Sequence, residues 1–395
     1  MRDNKYAWVW DAMSHVSLTT KTRAIKHFLR GKKEYLPHIK THAEMDNVIK
    51  CALCPNMCKF DCPVLAAAGN DATSPSAKAR LAYFLETGAL TTQDASALMY
   101  ACCNCDACQS WCSFGFSAAD ILRGVRVDMV EAGQQPEAAA DLCQRLTSQH
   151  VLHERTVTVP ASDQGDILYF IGCEVGSAHP KIAAAMLSIF EYVAVEPAVI
   201  ADEWCCGAPF LNLGYIDEFT TFARHQAAAI KESGCSTLVC SCPTCSYMFR
   251  QVYPRYDVDV GVAVMHATEY FDSLVQEGSL PTKKGYTTGV YHDPCTLARK
   301  LSITDQPRRV LQHVGLDVQE AYFNRGHTQC CGRGGSLQYV FPDIADAITD
   351  SRLTELHRAC SQIVTACPTC KSAFAERGAE VADIAELVHR ALEGA

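Results

Sequence analysis

The sequence predicts an α/β fold built twice, placed after a helical, cysteine-rich segment. Three observations predict it. One five-cysteine pattern occurs twice in a single register. Within each copy, short apolar runs alternate with stretches of helical periodicity, the order that small sheet-and-helix units show. Ahead of both copies stand two runs of four cysteines with helical stretches around them.

The repeat is explicit. The first copy reads Cys173, then Cys205-Cys206-Gly207, then Cys242-Pro243-Thr244-Cys245; the second reads Cys295, then Cys330-Cys331-Gly332, then Cys367-Pro368-Thr369-Cys370. Between lone cysteine and pair lie 31 residues in the first copy and 34 in the second, and between pair and CPTC both have 35. From the pair onward the copies are offset by 125 residues with no insertion. Such a period means one structural unit, duplicated.

Taken in order, residues 1–45 form a basic, aromatic-rich arm. Residues 1–50 hold ten Lys/Arg against five Asp/Glu, with Tyr6, Trp8, Trp10, Phe28 and Tyr35 among them. Such an arm either docks a partner subunit, since aromatics and Arg favour interface cores, or packs on its own protein. Residues 46–145 carry Cys51-x2-Cys54-x3-Cys58-x3-Cys62-Pro63 and, 39 residues on, Cys102-x2-Cys105-x2-Cys108-x3-Cys112. Residues 76–88 have helical periodicity and a glycine stop, and 118–131 have the same periodicity through Ile121, Leu122, Val125, Val127 and Val130. Residues 132–163 read as a short helix, with Cys143 packed inside it, and a polar stretch to Pro160 that marks a boundary.

The first copy spans 163–280. Its strand at 166–172 (DILYFIG) delivers Cys173, a helix follows at 179–192, and a strand at 193–200. A helix at 216–234 and a strand at 236–240 lead to the first CPTC. The second copy spans 285–395, with strands at 288–292 and 361–366 before its cysteines and helices at 306–315 and 343–359. Residues 264–275 (VMHATEYFDSLV) and 381–392 (VADIAELVHRAL) read as matching terminal helices. Cysteines at strand C-terminal ends sit where open α/β sheets bind ligands.

Composition narrows the class. With 395 residues, 48% apolar, there is room for two or three domains with real cores. Dense cysteine use, 23 residues, belongs either to short secreted disulfide scaffolds or to intracellular metal proteins. The chain is long and Met1-Arg2-Asp3-Asn4-Lys5 lacks an apolar leader core, so a metal protein of the cytoplasm is expected, alone or peripheral on a membrane complex. No apolar run is long enough to span a bilayer, and a net charge of −9 argues against nucleic acid.

The duplicated spacing resembles the CCG cysteine-rich domain of heterodisulfide reductases, in their B or D subunit, and of related iron–sulfur oxidoreductases. The resemblance covers roughly 46–395 and both copies keep all five cysteines. It implies one noncubane [4Fe-4S] cluster on Cys173, Cys205, Cys206, Cys242 and Cys245, and another on Cys295, Cys330, Cys331, Cys367 and Cys370, both catalytic in disulfide reduction. The two cysteine runs look like the α-helical ferredoxin module that accompanies these domains. The second has the ferredoxin spacing for a cubane [4Fe-4S] cluster, without the usual proline; the first keeps the proline and has one extra residue before its third cysteine. In two-cluster ferredoxins the fourth cysteine of each run serves the other cluster. Carried over, Cys51, Cys54, Cys58 and Cys112 hold one cubane, and Cys102, Cys105, Cys108 and Cys62 the other. Structural zinc also uses C-x2-C pairs, but no histidine stands in a ligand position.

The resemblance thus implies two cubane and two noncubane clusters. Electrons would come from a flavoprotein or cytochrome component of a larger complex, and a thiol or disulfide would be the substrate. The same domains resemble relay subunits that pass electrons from flavoproteins of glycolate, lactate or glycerol-3-phosphate oxidation, or of acyl-CoA reductases, to a quinone, cytochrome or partner enzyme. No dinucleotide fingerprint, P-loop or C-x-x-C-H haem site occurs, so no bound FAD, NAD or haem is expected. Cys103, Cys143, Cys235, Cys240 and Cys360 are left over as buried small hydrophobes, with Cys103 and Cys240 placed beside ligands. Glu203, Trp204, His292 and Asp293 adjoin cluster cysteines, as packing, as supports or as sources of protons. Gly334 and Gly335 suit a close backbone approach to a cluster, and Arg333 suits an anionic group of a substrate.

Overall fold

The computed structural model describes residues 14–23, 25–26, 41–90, 93–156, 165–282 and 287–393. The aromatic residues of the arm and the boundary at Pro160 lie outside the described residues.

The chain is mixed α/β with two parallel sheets, one for each cysteine repeat. In the first copy the order is β1 (Ile167–Phe170), β2 (Thr237–Cys240), β3 (Ala263–His266). In the second copy β4 (Thr287–His292) lies between β5 (Leu316–Glu320) and β6 (Ile363–Thr365), with β7 (Val381–Asp383) at the edge beside β6. All neighbours are parallel, with Phe170 opposite Cys240 and His292 opposite Thr365. Within each sheet the strands ahead of the cysteines therefore end together, β1 with β2 before Cys173 and Cys242, and β4 with β6 before Cys295 and Cys367.

Helix starts are local in origin. Ser74 and Ser117 cap the helices Pro75–Glu86 and Ala118–Glu131 by accepting from Ala77 N and Ala119 N. Pro180, Pro243, Pro342 and Pro368 open helices at positions whose N–H needs no partner.

Three expectations change. The strand expected at 193–200 is reduced to one bridge between Leu168 and Ala198, since the helix Pro180–Tyr192 runs into a turn and Pro197 offers no N–H. Its counterpart in the second copy, β5, is a full strand that the pattern LDVQE did not announce. The terminal helices expected at 264–275 and 381–392 each begin with a strand, β3 and β7. The switch falls at capping boxes, His266 with Glu269 and Asp383 with Glu386, where a side chain takes over the first helical N–H groups.

The copies pack reciprocally. Helix Pro180–Tyr192 of the first lies on Ile384–Leu392 of the second, and Ala267–Gln276 of the first on Asp305–His313 of the second. One apolar core runs through both, from Ile182, Met186 and Phe190 to Leu297, Leu311 and Val388. Burial on this scale, at about 25 cal/mol per Å² of apolar surface, makes the paired copies one unit rather than two beads. The helical segment packs on the first copy through Val48, Tyr100, Leu122 and Val125 against Phe210, Leu213 and Phe219. It reaches the second copy through Val64, Ala101 and Cys105 against Cys330, Leu337 and Ile348.

Candidate metal centres

The first cysteine run bends around left-handed Asn56, and the second around Asn104 and Asp106. Such single residues at φ of 49° to 66° curl the chain so that successive N–H groups face one concavity, as anion-binding nests do. Asn and Asp tolerate this conformation better than other side chains with a Cβ.

The runs interleave. Cys51 lies among Cys58, Cys54 and Cys112, and burial first, then these neighbours, push its thiol up to about 12. Cys62 sits with Cys102 and Cys105 beside the Lys78 ammonium, and Cys108 also adjoins Cys102 and Cys105. The fourth cysteine of each run is thus near the other run.

The ten repeat cysteines form a continuous line. Cys173 and Cys206 lie beside Cys205, and Cys206 and Cys242 beside Cys245. Cys242 then meets Cys367 of the second copy. From there Cys367 reaches Cys370, Cys370 lies 3.2 Å from Cys331, and Cys331 and Cys295 adjoin Cys330. The line does not stop at the repeat, because Cys330 also touches Cys105 and Cys103 of the helical segment. All 23 cysteines are free thiols. Crowded buried thiols repel once ionised, so the arrangement suits soft cationic iron or zinc and not magnesium or calcium.

The two copies differ in openness. A cavity of about 100 Å³ is lined by all five cysteines of the first copy, and by Arg333, Gly334, Gly335 and Tyr339 from the second. Thr244 and Thr369, equivalent residues of the two CPTC loops, both face it. None of the second copy's cysteines lines that cavity; Cys330 faces instead a cavity of about 620 Å³ together with Cys62 and Arg352.

The neighbouring residues sort by contact. Glu203 is buried and accepts from Ile171 N and Gly172 N at 2.9 Å each and from Arg155 at 2.6 Å, so it holds the backbone ahead of Cys173. Trp204 stacks between His150 and His225, each at 3.7 Å. Asp293 takes a bidentate pair from Arg308 at 2.8 Å and the Arg325 N–H at 2.8 Å. His292 is buried against Cys331 and Cys370. Arg333 pairs with Asp346 and Glu376, which neutralises the cation expected to face an anion. The close approach at Gly334 and Gly335 is to protein: a Cβ on either would lie 2.2 Å from the carbonyl oxygen of Cys103 or Cys102. Cys143, Cys235 and Cys240 are buried as expected, Cys360 is partly exposed, and Cys103 adjoins Cys330.

Sequence reasoning missed a set of cations at the junction. Lys78 Nζ donates to Ala101 O at 2.6 Å and Arg126 Nε to Met99 O at 2.9 Å, both fully buried. Arg299 donates to the carbonyls of Cys105, Gly326 and Thr328, and Lys300 pairs with Asp106 at 3.1 Å. Their partners lie far off in sequence. A π-helical turn, Thr296–Lys300, aims the last two.

Comparison with known proteins identifies the two cysteine repeats. The CCG cysteine-rich domain matches residues 167–250 and again 290–375. The D subunit of the dihydromethanophenazine:CoB–CoM heterodisulfide reductase of Methanosarcina barkeri is 27% identical over 88% of this chain and 94% of its own length. The B subunit of the CoM/CoB fumarate reductase of Methanothermobacter marburgensis is 24% identical over 69% of this chain and 56% of its own. The EtfAB:quinone oxidoreductase of Syntrophomonas wolfei is 28% identical over 58% of this chain and 34% of its own. The chain is therefore a protein of two CCG cysteine-rich domains, distantly related over most of its length to the D subunit of the heterodisulfide reductases.

Proposed function

We propose that this chain is an iron–sulfur oxidoreductase subunit whose paired CCG sites reduce a disulfide. Residues 46–145 would hold two cubane clusters, and 163–280 and 285–395 one noncubane cluster each. Cys51, Cys54, Cys58 and Cys112 would hold the first cubane and Cys62, Cys102, Cys105 and Cys108 the second, the grouping that the interleaved runs favour. When bound, these groups supply one-electron storage, four times over.

The observation that carries the reading is the unbroken line of thiols from Cys105 to Cys173, ending at a cavity that straddles the two CPTC loops. Disulfide reduction needs two electrons and two protons to give two thiols. Two one-electron sites, one lining the cavity and the other adjoining it through Cys367 beside Cys242, would meet that demand. The chain's own residues position the parts. Arg299 and Lys300 tie the segment 102–106 to the second copy, Glu203 holds the backbone before Cys173, and Thr244 and Thr369 line both sides of the cavity.

The similarity to a quinone oxidoreductase supports a second reading, a relay between a flavoprotein and a quinone, cytochrome or partner enzyme. Mass spectrometry of proteins that co-purify under strict anaerobiosis separates the two. A flavin-bearing reductase or b-type cytochrome with a small thiol carrier is the expected set. A substrate-oxidising flavoprotein without any thiol carrier would make the chain a relay.

A further inference from the structure

The two copies share one fold, but one position differs in chemistry. In the second copy the last residue of β4 is His292, three before Cys295; in the first copy the residue three before Cys173 is Phe170. Their equivalence is geometric as well. His292 sits edge-on to Phe374 with ring centroids 4.9 Å apart at 83°, and Phe170 sits edge-on to Phe249 at 4.9 Å and 81°. Phe249 and Phe374 are themselves 125 residues apart, the offset of the repeat.

The imidazole has a determined tautomer. Arg352 Nε donates to His292 Nδ1 at 3.1 Å, and a guanidinium has no acceptor atom. Nδ1 must therefore accept, and the ring proton of the neutral imidazole resides on Nε2. That atom is buried and finds no partner of hydrogen-bonding geometry among the described residues. A ring nitrogen of His292 lies within 4.8 Å of both Cys331 Sγ and Cys370 Sγ. A buried donor without a partner is costly, and a sulfur carrying negative charge in the loaded site would supply the acceptor it lacks. The same offset puts Ala227 where the second copy has Arg352. The first copy thus lacks both the donor and the cation that orients it.

We propose that His292 Nε2–H is a hydrogen-bond donor to the Cys331 or Cys370 sulfur of the loaded second site, and that it sets this site at a higher reduction potential than the first. The inference rests on the cluster reading above. Hydrogen bonds to cluster sulfurs stabilise the more negative, reduced state and so raise the potential. The second copy is also the one that touches Cys105. It therefore retains the first electron to arrive, while the first copy, with Phe170, faces the cavity at lower potential. His292 is a positioning and tuning residue and touches no substrate.

The test is an anaerobic redox titration of the full chain followed by electron paramagnetic resonance, with iron counted in the same samples. His292→Phe, which copies the first site, loads the same iron, shifts one of the two CCG-site potentials downward and leaves the other in place. His292→Gln, which keeps an N–H near the Nε2 position, stays close to the wild type. A fully loaded His292→Phe variant with both potentials unchanged overturns the proposal while the cluster reading stands. So does a glutamine variant that shifts as far as the phenylalanine one. If the phenylalanine variant fails to load, the wild-type chain decides. A deuterium-exchangeable proton coupling at one CCG site supports the donor, and its absence at both sites overturns it. A wild-type chain whose iron count leaves both CCG sites empty removes the cluster reading, and this proposal with it.

Discussion

Arg299 Nε donates to the carbonyl oxygen of Cys105 at 2.6 Å. This single bond ties the second cysteine run of the helical segment to the π-helical turn that follows Cys295. Around it, Lys300 reaches Asp106 and Cys330 touches Cys105 and Cys103. The junction between the segment and the second copy is thus a structural joint at which thiols of the two also lie side by side.

Gly334 tests the joint. A methyl group there would meet the Cys103 carbonyl oxygen at 2.2 Å, and overpacking against backbone costs about 1–3 kcal/mol. Gly334→Ala should lower the unfolding free energy by that amount, read as a lower urea midpoint. Gly326→Ala, with nothing within 4 Å of its Cβ, should stay within about 0.5 kcal/mol of the wild type. Equal midpoints for the two variants would show that the segment does not seat on the second copy as described.

Arg308 tests the loop ahead of Cys295. Its guanidinium forks onto Asp293, which is 1% exposed. Arg308→Met leaves a buried carboxylate without its cation, at a cost of about 3–5 kcal/mol. Arg325→Met removes a solvent-facing pair with Glu320 and should cost under about 1 kcal/mol. Comparable losses in the two variants would contradict the buried-pair account.

Glu86 gives the pH dependence. Burial pushes its carboxyl up from 4.5 to about 7; the Thr41 hydroxyl opposes this, the Asp128 carboxylate adds to it, and His42 opposes it. The folded value lies above the unfolded one, so folding favours the protonated acid. Below pH 4.5 both states are protonated and Glu86 costs nothing. Stability is lost as pH rises from 4.5 through about 7, and the cost is complete above that. Glu86→Gln should match the wild type below the lower value and be the more stable above the upper one, by chemical denaturation under nitrogen. Parallel profiles would show that Glu86 titrates normally.

Cys331 tests the iron. Cys331→Ala should remove one CCG-site cluster, about 4 of roughly 16 irons for four [4Fe-4S] groups, with the signals of the other sites retained. Unchanged iron would contradict its role as a ligand.

What the sequence revealed depended on range. Cysteine spacing, the strands before Cys173, Cys242, Cys295 and Cys367, and helices such as Ala118–Glu131 rest on neighbours within a few residues, and they were legible. Strand β5 was not, because LDVQE lacks a run of apolar or β-branched residues and owes its pairing to β4. Lys78, Arg126 and Arg299 were invisible as junction residues, since each bonds a carbonyl 23 to 194 positions away. His292 was flagged by its place beside Cys295. Its tautomer depends on Arg352, 60 residues on, and no local pattern announces that partner.

The most direct test of disulfide reduction counts thiols in a single turnover. The anaerobically loaded chain is reduced with a viologen radical, freed of excess reductant and mixed with a small disulfide. The account predicts two thiols per disulfide consumed, with the reaction lost in both Cys206→Ala and Cys331→Ala. A chain that stays reduced in the presence of disulfides and is reoxidised by a quinone would contradict it and make the relay its function.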